Sequence, residues 1–332
     1  MKIRRFWLGI LILLLALWAV WSFYRSAAGA VDPTDTTKAK FTVKSGWTIS
    51  EIANSLEGEN LIRSSALFKW DAREFPASKF QSGIFVLQRS MDLQQVLESL
   101  TGSPQEMWIT LLEGWRATEI ADYLAEQGYA DREEFLDCVQ NCQLDYAVLS
   151  DQPVGQGLEG YLYPDTYIIT PETKPLGIVN RMLKNLDEKF TPELRAQAAA
   201  AGRSLHEILT MASILEREVR DYEDKQLVAG LLWKRLEAGM GLDVDASVLY
   251  ALGDWKAELN YTSLQTDSPY NTRKYAGLPP GPICSPGIES IKAAINPTPS
   301  DYWFYLTTLD TGKVIYGRTL EEHNQNVAKY LR

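Results

Sequence analysis

The sequence predicts an α+β protein that begins with a transmembrane helix, continues through a duplicated βααβ portion and ends in a mixed α/β domain. Three observations support this fold class: an uncharged stretch near the N-terminus, a repeat at an offset of 68 residues, and a central segment whose apolar residues recur with the helical period. We therefore divide the chain into a cytoplasmic tip and anchor (1–25), a linker (26–39), a first βααβ domain (40–102) and a larger domain (103–332), whose first part (103–170) is the second repeat.

The composition is that of an ordinary globular protein. Of 332 residues, 45% are hydrophobic and 23% are charged, and the net charge is −10. An acidic body disfavours nucleic acid as a partner. Two histidines and three cysteines offer no spacing typical of metal ligands, so we predict neither a metal site nor a cofactor.

The N-terminal stretch Phe6–Tyr24 carries no charge and has about the length of a membrane span. Lys2, Arg4 and Arg5 precede it, so the positive-inside rule predicts a cytoplasmic N-terminus and a body on the outer side. The alternative is a cleaved signal peptide, because Ala28–Ala30 has the small-x-small form of a cleavage site. Its apolar core would exceed the usual ~7–15 residues, which favours the anchor.

An internal repeat follows the linker. Phe41–Leu56 and Ile109–Leu124 share seven identical residues in sixteen positions. The matched pairs are Thr42/Thr110, Gly46/Gly114, Trp47/Trp115, Glu51/Glu119, Ile52/Ile120, Ala53/Ala121 and Leu56/Leu124. Each copy predicts a strand, a turn, two helices and a return strand that starts at Gly83 or Gly160. Such a unit resembles the LysM module, a glycan-binding fold, although a duplicated βααβ unit can also be pure scaffold.

Two cysteines lie in an insertion of the second copy. Outside the cytoplasm, Cys138 and Cys142 could form a disulfide. The alternative is two free thiols one helical turn apart.

The remainder of the chain is predicted to be mostly helical around one Pro- and Gly-rich loop, Pro269–Gly287. Periodicity, breakers and caps predict helices over Leu176–Phe190, Pro192–Ala201, Leu205–Val219, Asp221–Gly239, Asp245–Leu252 and Thr319–Arg332, and strands over Tyr302–Leu306 and Val314–Gly317.

The central helix, Leu205–Val219, carries the candidate catalytic residues. On a helical wheel Glu216 falls within the apolar face and Glu218 at its edge, about 160° apart. A carboxylate among apolar side chains is desolvated, which raises its pKa and suits it to general acid catalysis. The pattern by itself slightly favours Glu216 as the more buried. The alternative is that both are surface glutamates, one of them paired with an arginine.

Five separated motifs resemble one family. They are Leu158–Tyr167 (LEGYLYPDTY), Met211–Glu218 (MASILERE), Gly241–Tyr250 (GLDVDASVLY), Ser268–Thr272 (SPYNT) with Gly277–Ile283 (GLPPGPI), and Glu322–Asn324 (EHN). Together they are similar to the endolytic murein transglycosylases, the MltG or YceG-like family, over nearly the whole chain. One departure is Asp243–Ala246 (DVDA), where the family commonly has Gln-Thr/Ser-Asp-Pro; the aspartate itself is retained as Asp245.

The resemblance implies a reaction and a catalyst. Such enzymes cut the bond from N-acetylmuramic acid to N-acetylglucosamine within a glycan strand, and the C6 hydroxyl of the muramic acid replaces water, which leaves a 1,6-anhydro end. One carboxyl group then suffices as acid and later as base, since the nucleophile is tethered. The family's acid matches Glu218, which leaves Glu216 as a buried structural carboxylate held by hydrogen bonds or a cation.

The same motifs suggest substrate-binding residues. Tyrosines could present their faces to sugars or belong to the core, the aspartates could bind hydroxyl groups or orient a loop, and His323 could contact the site or cap local backbone. The candidates are Tyr161, Asp165, Ser213, Asp245, Tyr250, Tyr270, Asn271, Thr272, His323 and Asn324.

The resemblance also implies a location and partners. We expect a single-pass protein of the bacterial inner membrane with its body on the periplasmic side, acting on peptidoglycan strands beside membrane-bound synthases. Two other functions remain open: a muramidase that uses water, and a non-catalytic LysM-type scaffold that binds peptidoglycan.

Overall fold

The computed structural model describes residues 2–44, 46–308 and 310–331, but not the side chains of residues 2–9, 12, 13 and 20. The first helix, α1, is Lys2–Ala28 and contains the predicted anchor, Phe6–Tyr24. That prediction falls partly on side chains outside the described residues. Among the residues that are described, no helix has both the length and the apolar character needed to cross a membrane.

The chain divides into two compact units. One comprises Met1–Ile109 with Ile168–Thr173, and the other comprises Thr110–Tyr167 with Lys174–Arg332. The elements up to the division are β1 (Ala39–Val43), α2 (Ile49–Gly58), α3 (Ser65–Asp71), β2 (Gly83–Leu87), α4 (Leu93–Thr101) and β3 (Met107–Thr110). The elements that follow are α5 (Ala117–Glu126), α6 (Arg132–Asn141), β4 (Thr166–Ile169), α7 (Pro175–Lys189), α8 (Pro192–Ala200), α9 (Leu205–Glu218), α10 (Tyr222–Glu237), α11 (Asp245–Leu252), α12 (Tyr261–Leu264), α13 (Ile288–Ile295), β5 (Phe304–Thr307), β6 (Val314–Gly317) and α14 (Leu320–Tyr330).

The first unit has its own core beneath one antiparallel pair of strands. β1 pairs with β2 so that Phe41 lies opposite Phe85. Alternate side chains of a strand point to opposite faces, so one face of the pair turns its apolar residues toward α2, α3 and α4. The core side chains include Phe41, Ile52, Leu56, Phe68, Phe85, Leu87, Val96, Leu97 and Leu100.

The two repeats share local structure. Both ends of α5 lie 68 positions after the ends of α2, which is the offset of the sequence repeat. The glycines before the helices, Gly46 and Gly114, have φ angles of 80° and 77°, values that favour glycine. Glu51 and Glu119 each accept a hydrogen bond from the backbone N–H three residues earlier. The likeness to LysM and the superposition of the two repeats stay predictions.

The return strand of the second repeat was predicted wrongly. It is Thr166–Ile169, which pairs with β3, and not the segment that starts at Gly160. Gly160 has a φ of 78° and its backbone lies against Pro282, so the chain turns there instead of extending. In the same unit Cys138 and Cys142 form a disulfide, which is one of the two alternatives that the sequence left open.

The second unit is built around α9. This helix packs against α8, α10, α11 and α13, and its residues from Leu205 to Leu215 are buried except Glu207. The β5–β6 hairpin, in which Tyr305 lies opposite Tyr316, packs against α14. The unit thus surrounds most of α9 and leaves its last three residues, Glu216–Glu218, partly or fully exposed.

Candidate active site

Glu218, the last residue of helix α9, lies at the surface of the second unit. Ser204 caps the helix with a capping box in which Glu207 bonds back to the Ser204 backbone. At the other end Val219 has extended backbone angles (φ −140°, ψ 141°), so the helix stops directly after Glu218. Thr307 Oγ1 on β5 donates a hydrogen bond of 3.2 Å to the Glu218 carbonyl oxygen and fixes this terminus against the hairpin.

Each carboxylate oxygen of Glu218 accepts a hydrogen bond. The backbone N–H of Ala246, in the first turn of α11, donates to Oε1 at 3.2 Å. The Tyr305 hydroxyl group donates to Oε2 at 3.1 Å. Burial raises the pKa of Glu218 above its usual value, with a further contribution from Asp245, and the two hydrogen bonds and Arg273 only partly oppose this.

Glu218 lines a cavity of about 890 Å³. The cavity lies between the end of α9, the loop before α11, the β5–β6 hairpin and α14, all within the second unit. Its volume is within the range of about 300–1,000 Å³ that is typical of ligand sites. A carboxyl group whose pKa is raised, in contact with a cavity of this size, is suited to transfer protons to and from a bound substrate.

Glu216 leaves the same helix toward the protein interior. Its Oε2 accepts hydrogen bonds from Ser290 Oγ at 2.6 Å and from the backbone N–H of Gly287 at 3.0 Å, and Lys225 Nζ lies 3.5 Å away. The Glu216 and Lys225 side chains are only 10% and 5% exposed. Hydrogen bonds and a cation therefore hold Glu216, the arrangement expected of a structural carboxylate.

Two of the predicted binding residues line the cavity with Glu218. Asp245 Oδ1 accepts hydrogen bonds from Arg273 Nη2 at 2.6 Å and Nε at 3.1 Å. His323 stacks on Phe304 with 5.4 Å between ring centroids. Burial, together with the charges of Arg235 and Arg273, lowers the pKa of His323, which favours the neutral imidazole near neutral pH.

Asn271, Thr272 and Ser213 are buried and form hydrogen bonds inside the protein. Asn271 Nδ2 donates to the carbonyl oxygens of Leu264 and Thr266. The Thr272 hydroxyl group bonds to the Ser247 hydroxyl group and accepts from a backbone N–H before α11, and Ser213 Oγ accepts from a backbone N–H of the Pro- and Gly-rich loop. These contacts hold the loops around α9 and α11, and contact of these residues with a glycan stays a prediction.

The other predicted residues lie away from the cavity lining. Tyr161 is buried and its hydroxyl group is 2.8 Å from His206 Nδ1. Tyr250 and Tyr270 are partly exposed and their rings are 4.7 Å apart. Asp165 is exposed and accepts from Asn185 Nδ2 at 3.0 Å, and Asn324 is exposed on α14. Their roles in binding also stay predictions.

Tyr305 and Arg273 belong to the site and were missed from the sequence. The signal for Tyr305 was present in the alternation of β5, because Tyr305 and Thr307 share one face of a strand and both contact Glu218. No local pattern marks Arg273, which reaches Asp245 from a loop 28 residues further along the chain.

Comparison with known proteins identifies the family. The model of the YceG-like family matches residues 41–329. A Bacillus subtilis protein named endolytic murein transglycosylase is 32% identical over 325 residues, which cover 92% of this chain and 89% of that protein. A protein of the same name from Streptococcus pneumoniae D39 is 29% identical, and the match covers 93% of this chain but 62% of that longer protein.

A solved structure agrees with this assignment. A crystal structure of a yceG-like protein from Listeria monocytogenes is similar to this one with a TM-score of 0.66 and 30% sequence identity, covering 87% of this chain and 98% of that one. The residues that the family model matches include the last three residues of β1, the whole of α9, the β5–β6 hairpin and most of α14. This chain therefore belongs to the YceG-like family.

Proposed function

We propose that this protein is an endolytic murein transglycosylase that cuts between N-acetylmuramic acid and N-acetylglucosamine and leaves a 1,6-anhydro end. The observation that carries the proposal is Glu218, a carboxyl group with a raised pKa that lines the cavity of the second unit. The names of the Bacillus and Streptococcus relatives support the substrate and the type of reaction.

In the first step, protonated Glu218 gives its proton to the glycosidic oxygen while the bond from C1 to that oxygen breaks. The electron pair of the broken bond stays with the leaving oxygen, and Glu218 becomes a carboxylate. Ala246 N–H and the Tyr305 hydroxyl group then stabilise the new negative charge at 3.2 and 3.1 Å. These donors are already in place before the reaction, so the charge develops without reorganisation of the protein.

In the second step, carboxylate Glu218 takes the proton of the C6 hydroxyl group as O6 forms a bond to C1 of the same sugar. The electron deficit at C1 is filled by O6, and the acid is regenerated. Because the nucleophile and the reacting carbon belong to one sugar, the enzyme needs only to hold the ring in a conformation that brings them together.

The other carboxylates of the cavity favour this reaction over hydrolysis. A glycosidase that uses water commonly needs a second carboxylate to activate that water or to act as nucleophile. Asp245 is paired with Arg273, Asp243 lies 3.7 Å from Arg235, and Glu216 is enclosed by its three partners. Asp310 accepts from the backbone N–H of Thr311 at 2.8 Å. Each of these four carboxylates has a cation or a hydrogen-bond donor beside it, which supports the reaction that needs Glu218 alone.

The test is digestion of purified peptidoglycan, with the new chain ends identified by mass. We expect 1,6-anhydro-muramic ends with wild-type protein and none with Glu218→Gln. Reducing ends with the same dependence on Glu218 would instead establish a muramidase. If the wild-type protein cuts no strand, and Glu218→Gln retains full activity in cells, a non-catalytic scaffold is the better description.

We also propose that the N-terminal stretch Phe6–Tyr24 keeps the protein at the bacterial inner membrane, beside the synthases that make new strands. The uncharged sequence and the preceding Lys2, Arg4 and Arg5 support this. The measurement is the N-terminal sequence of the mature protein together with its distribution between membrane and soluble fractions. A mature chain that starts at or near Val31 would contradict the anchor.

A further inference from the structure

Two arginines flank Glu218 in the chain, and both line the cavity. Arg217 and Arg220 are exposed. Within the described part of the chain, no acidic side chain lies within 4.0 Å of either guanidinium group. The cavity therefore presents two positive charges that the protein itself does not neutralise.

The other two arginines of the cavity are engaged in contacts with the protein. Arg273 forms the ion pair with Asp245. Arg235 is buried, and it donates to the carbonyl oxygens of Trp303 and Leu242 at 2.7 and 2.8 Å. Arg217 and Arg220 thus differ from their neighbours because most of their N–H groups remain available to a ligand.

Arg217 is held in position without being neutralised. Its guanidinium carbon lies 4.1 Å from the ring centroid of Trp255, and its Nη1 donates a long hydrogen bond of 3.5 Å to the Gly114 carbonyl oxygen. The indole N–H of Trp255 donates to Glu119 at 3.1 Å, which fixes the ring under the guanidinium group. A stacked guanidinium group keeps its charge and its in-plane donors, so less freedom is lost when an anion binds.

Arg220 lies against the tip of the β5–β6 hairpin. Gly312 has a φ of 70°, and a Cβ atom built there would lie 3.7 Å from Arg220 Nη1. The one acidic residue of the cavity in this tip, Asp310, accepts hydrogen bonds from Thr311 and forms no ion pair with Arg220 in the described structure. The two arginines therefore contact different parts of the protein around the cavity. Arg217 lies against Trp255, and Arg220 lies against the hairpin.

The substrate class of the proposed function supplies an anion for these charges. The sugar rings of peptidoglycan carry hydroxyl and acetamido groups, which are neutral. Its carboxylates lie on the lactyl arm of muramic acid, either within the attached peptide stem or as the bare lactyl carboxylate where the peptide has been removed. Arginine is the side chain best suited to bind a carboxylate, because its donors match the two oxygens.

We propose that Arg217 and Arg220 bind a carboxylate carried by the lactyl arm of muramic acid, so that the cavity recognises the arm in addition to the sugar backbone. This inference rests on the proposed function. It predicts that affinity for a strand depends on the charge of the arm, and that the two arginines carry this dependence.

The test measures binding and uses a Glu218→Gln background, so that no strand is cut. Three soluble strands are compared: one with peptide stems, one with the stem carboxylates converted to amides, and one stripped of peptide that carries lactyl carboxylates. We expect Arg217→Gln and Arg220→Gln each to weaken binding of the stem-bearing strand by about two- to fivefold, the range for exposed charge pairs. The effect should shrink at about 1 M salt, where the Debye length is about 3 Å.

The matched control is Arg132→Gln, which makes the same change of charge on α6, where Arg132 pairs with exposed Asp122 and Glu133. Its binding should equal that of the parent. The parent should bind the amidated strand as weakly as the two variants bind the stem-bearing strand. On the amidated strand the two substitutions should weaken binding no further. An effect on stem-bearing strands only identifies a stem carboxylate, and an equal effect on stripped strands shows that the bare lactyl carboxylate is bound as well.

The inference is overturned if the variants lose the same factor on the amidated strand, or if they bind every strand as the parent does. These outcomes are independent of catalysis. A wild-type protein that binds strands in this charge-dependent way but never cuts them would contradict the proposed function and leave the arginine contacts standing.

Discussion

The Tyr305 hydroxyl group donates a hydrogen bond of 3.1 Å to Oε2 of Glu218, across 87 residues of sequence. Ala246 N–H occupies the other oxygen at 3.2 Å. Burial favours the protonated form of Glu218, whereas these two donors favour the carboxylate. A group that must first give a proton and then take one back needs both influences, because either alone would hold it in one state.

The first prediction concerns Glu218. Glu218→Gln keeps the side-chain shape and an acceptor for its neighbours but cannot donate a proton as an acid. We expect cleavage of peptidoglycan to fall by at least ~10²–10⁴, the usual contribution of general acid–base catalysis, with an unchanged melting temperature. Glu188→Gln, on the exposed face of α7, is the matched control and should retain full activity. A folded Glu218→Gln protein with full activity would rule out the assignment.

The second prediction concerns Tyr305 as a positioning residue. Tyr305→Phe removes a hydrogen bond that lowers the pKa of Glu218, so that pKa should rise further. Glu218 then stays protonated to higher pH, and the alkaline limb of the profile of kcat/KM against pH should shift toward higher pH. Tyr316→Phe is the control, since Tyr316 lies opposite on the hairpin and donates to Asp224 at 2.7 Å. An alkaline limb that stays at the same pH, or shifts toward lower pH, would contradict this role.

The third prediction separates Glu216 from Glu218. Glu216→Gln leaves Lys225, which is 5% exposed, without its counter-charge. Removing one partner of a buried ion pair costs about 3 kcal/mol, so the free energy of unfolding should fall by about this amount in urea titrations. The double variant Glu216→Gln/Lys225→Met should recover part of the loss. A Glu216→Gln protein of normal stability that has lost its activity would instead place Glu216 in the reaction.

The fourth prediction concerns the dependence of stability on pH. Burial raises the pKa of Glu159 to about 7 from an unfolded value of 4.5, even though Ala117 N–H donates to both of its oxygens. The folded state therefore binds the proton more tightly than the unfolded state. The resulting stabilisation is fully present below about pH 4.5 and is lost as the pH rises through about 7.

Glu159→Gln should remove this dependence, because an amide does not titrate. Comparing urea midpoints at pH 5 and pH 8, we expect the wild-type protein to lose on the order of 2–3 kcal/mol that the variant does not lose. Glu188→Gln again serves as the control and should follow the wild-type protein. Equal losses in Glu159→Gln and wild type would show that Glu159 does not titrate in this range.

Local structure followed closely from local sequence. The apolar period of Leu205–Val219 was sufficient to predict α9 to within one residue, and the repeat was sufficient for α2 and α5, because each depends on residues within about four positions of one another. The incorrect prediction of a strand that starts at Gly160 also came from local sequence. Its aromatic, alternating neighbourhood resembles a strand, but the contact with Pro282 that bends it comes from a distant loop.

The roles of the two glutamates depended on more distant residues. The helical pattern alone favoured Glu216 as the more buried residue, and the resemblance to a known family assigned catalysis to Glu218. The partners that enclose Glu216 come from α10, α13 and the loop before α13. Asn271 and Thr272, which the motifs suggested as binding residues, are buried, and their side chains satisfy backbone groups of neighbouring loops.

The sequence by itself determined the helix, its length and the positions of both glutamates on its surface, since helical period and caps are local properties. Only the tertiary structure decided which of the two carboxylates is enclosed by a lysine and hydrogen-bond donors, which donors hold each oxygen of Glu218, and which arginines keep their charges unpaired. Those properties depend on desolvation and on hydrogen bonds to residues 28 and 87 positions away from Glu218. No periodicity within one segment encodes these contacts, because they form only when the segments have packed together.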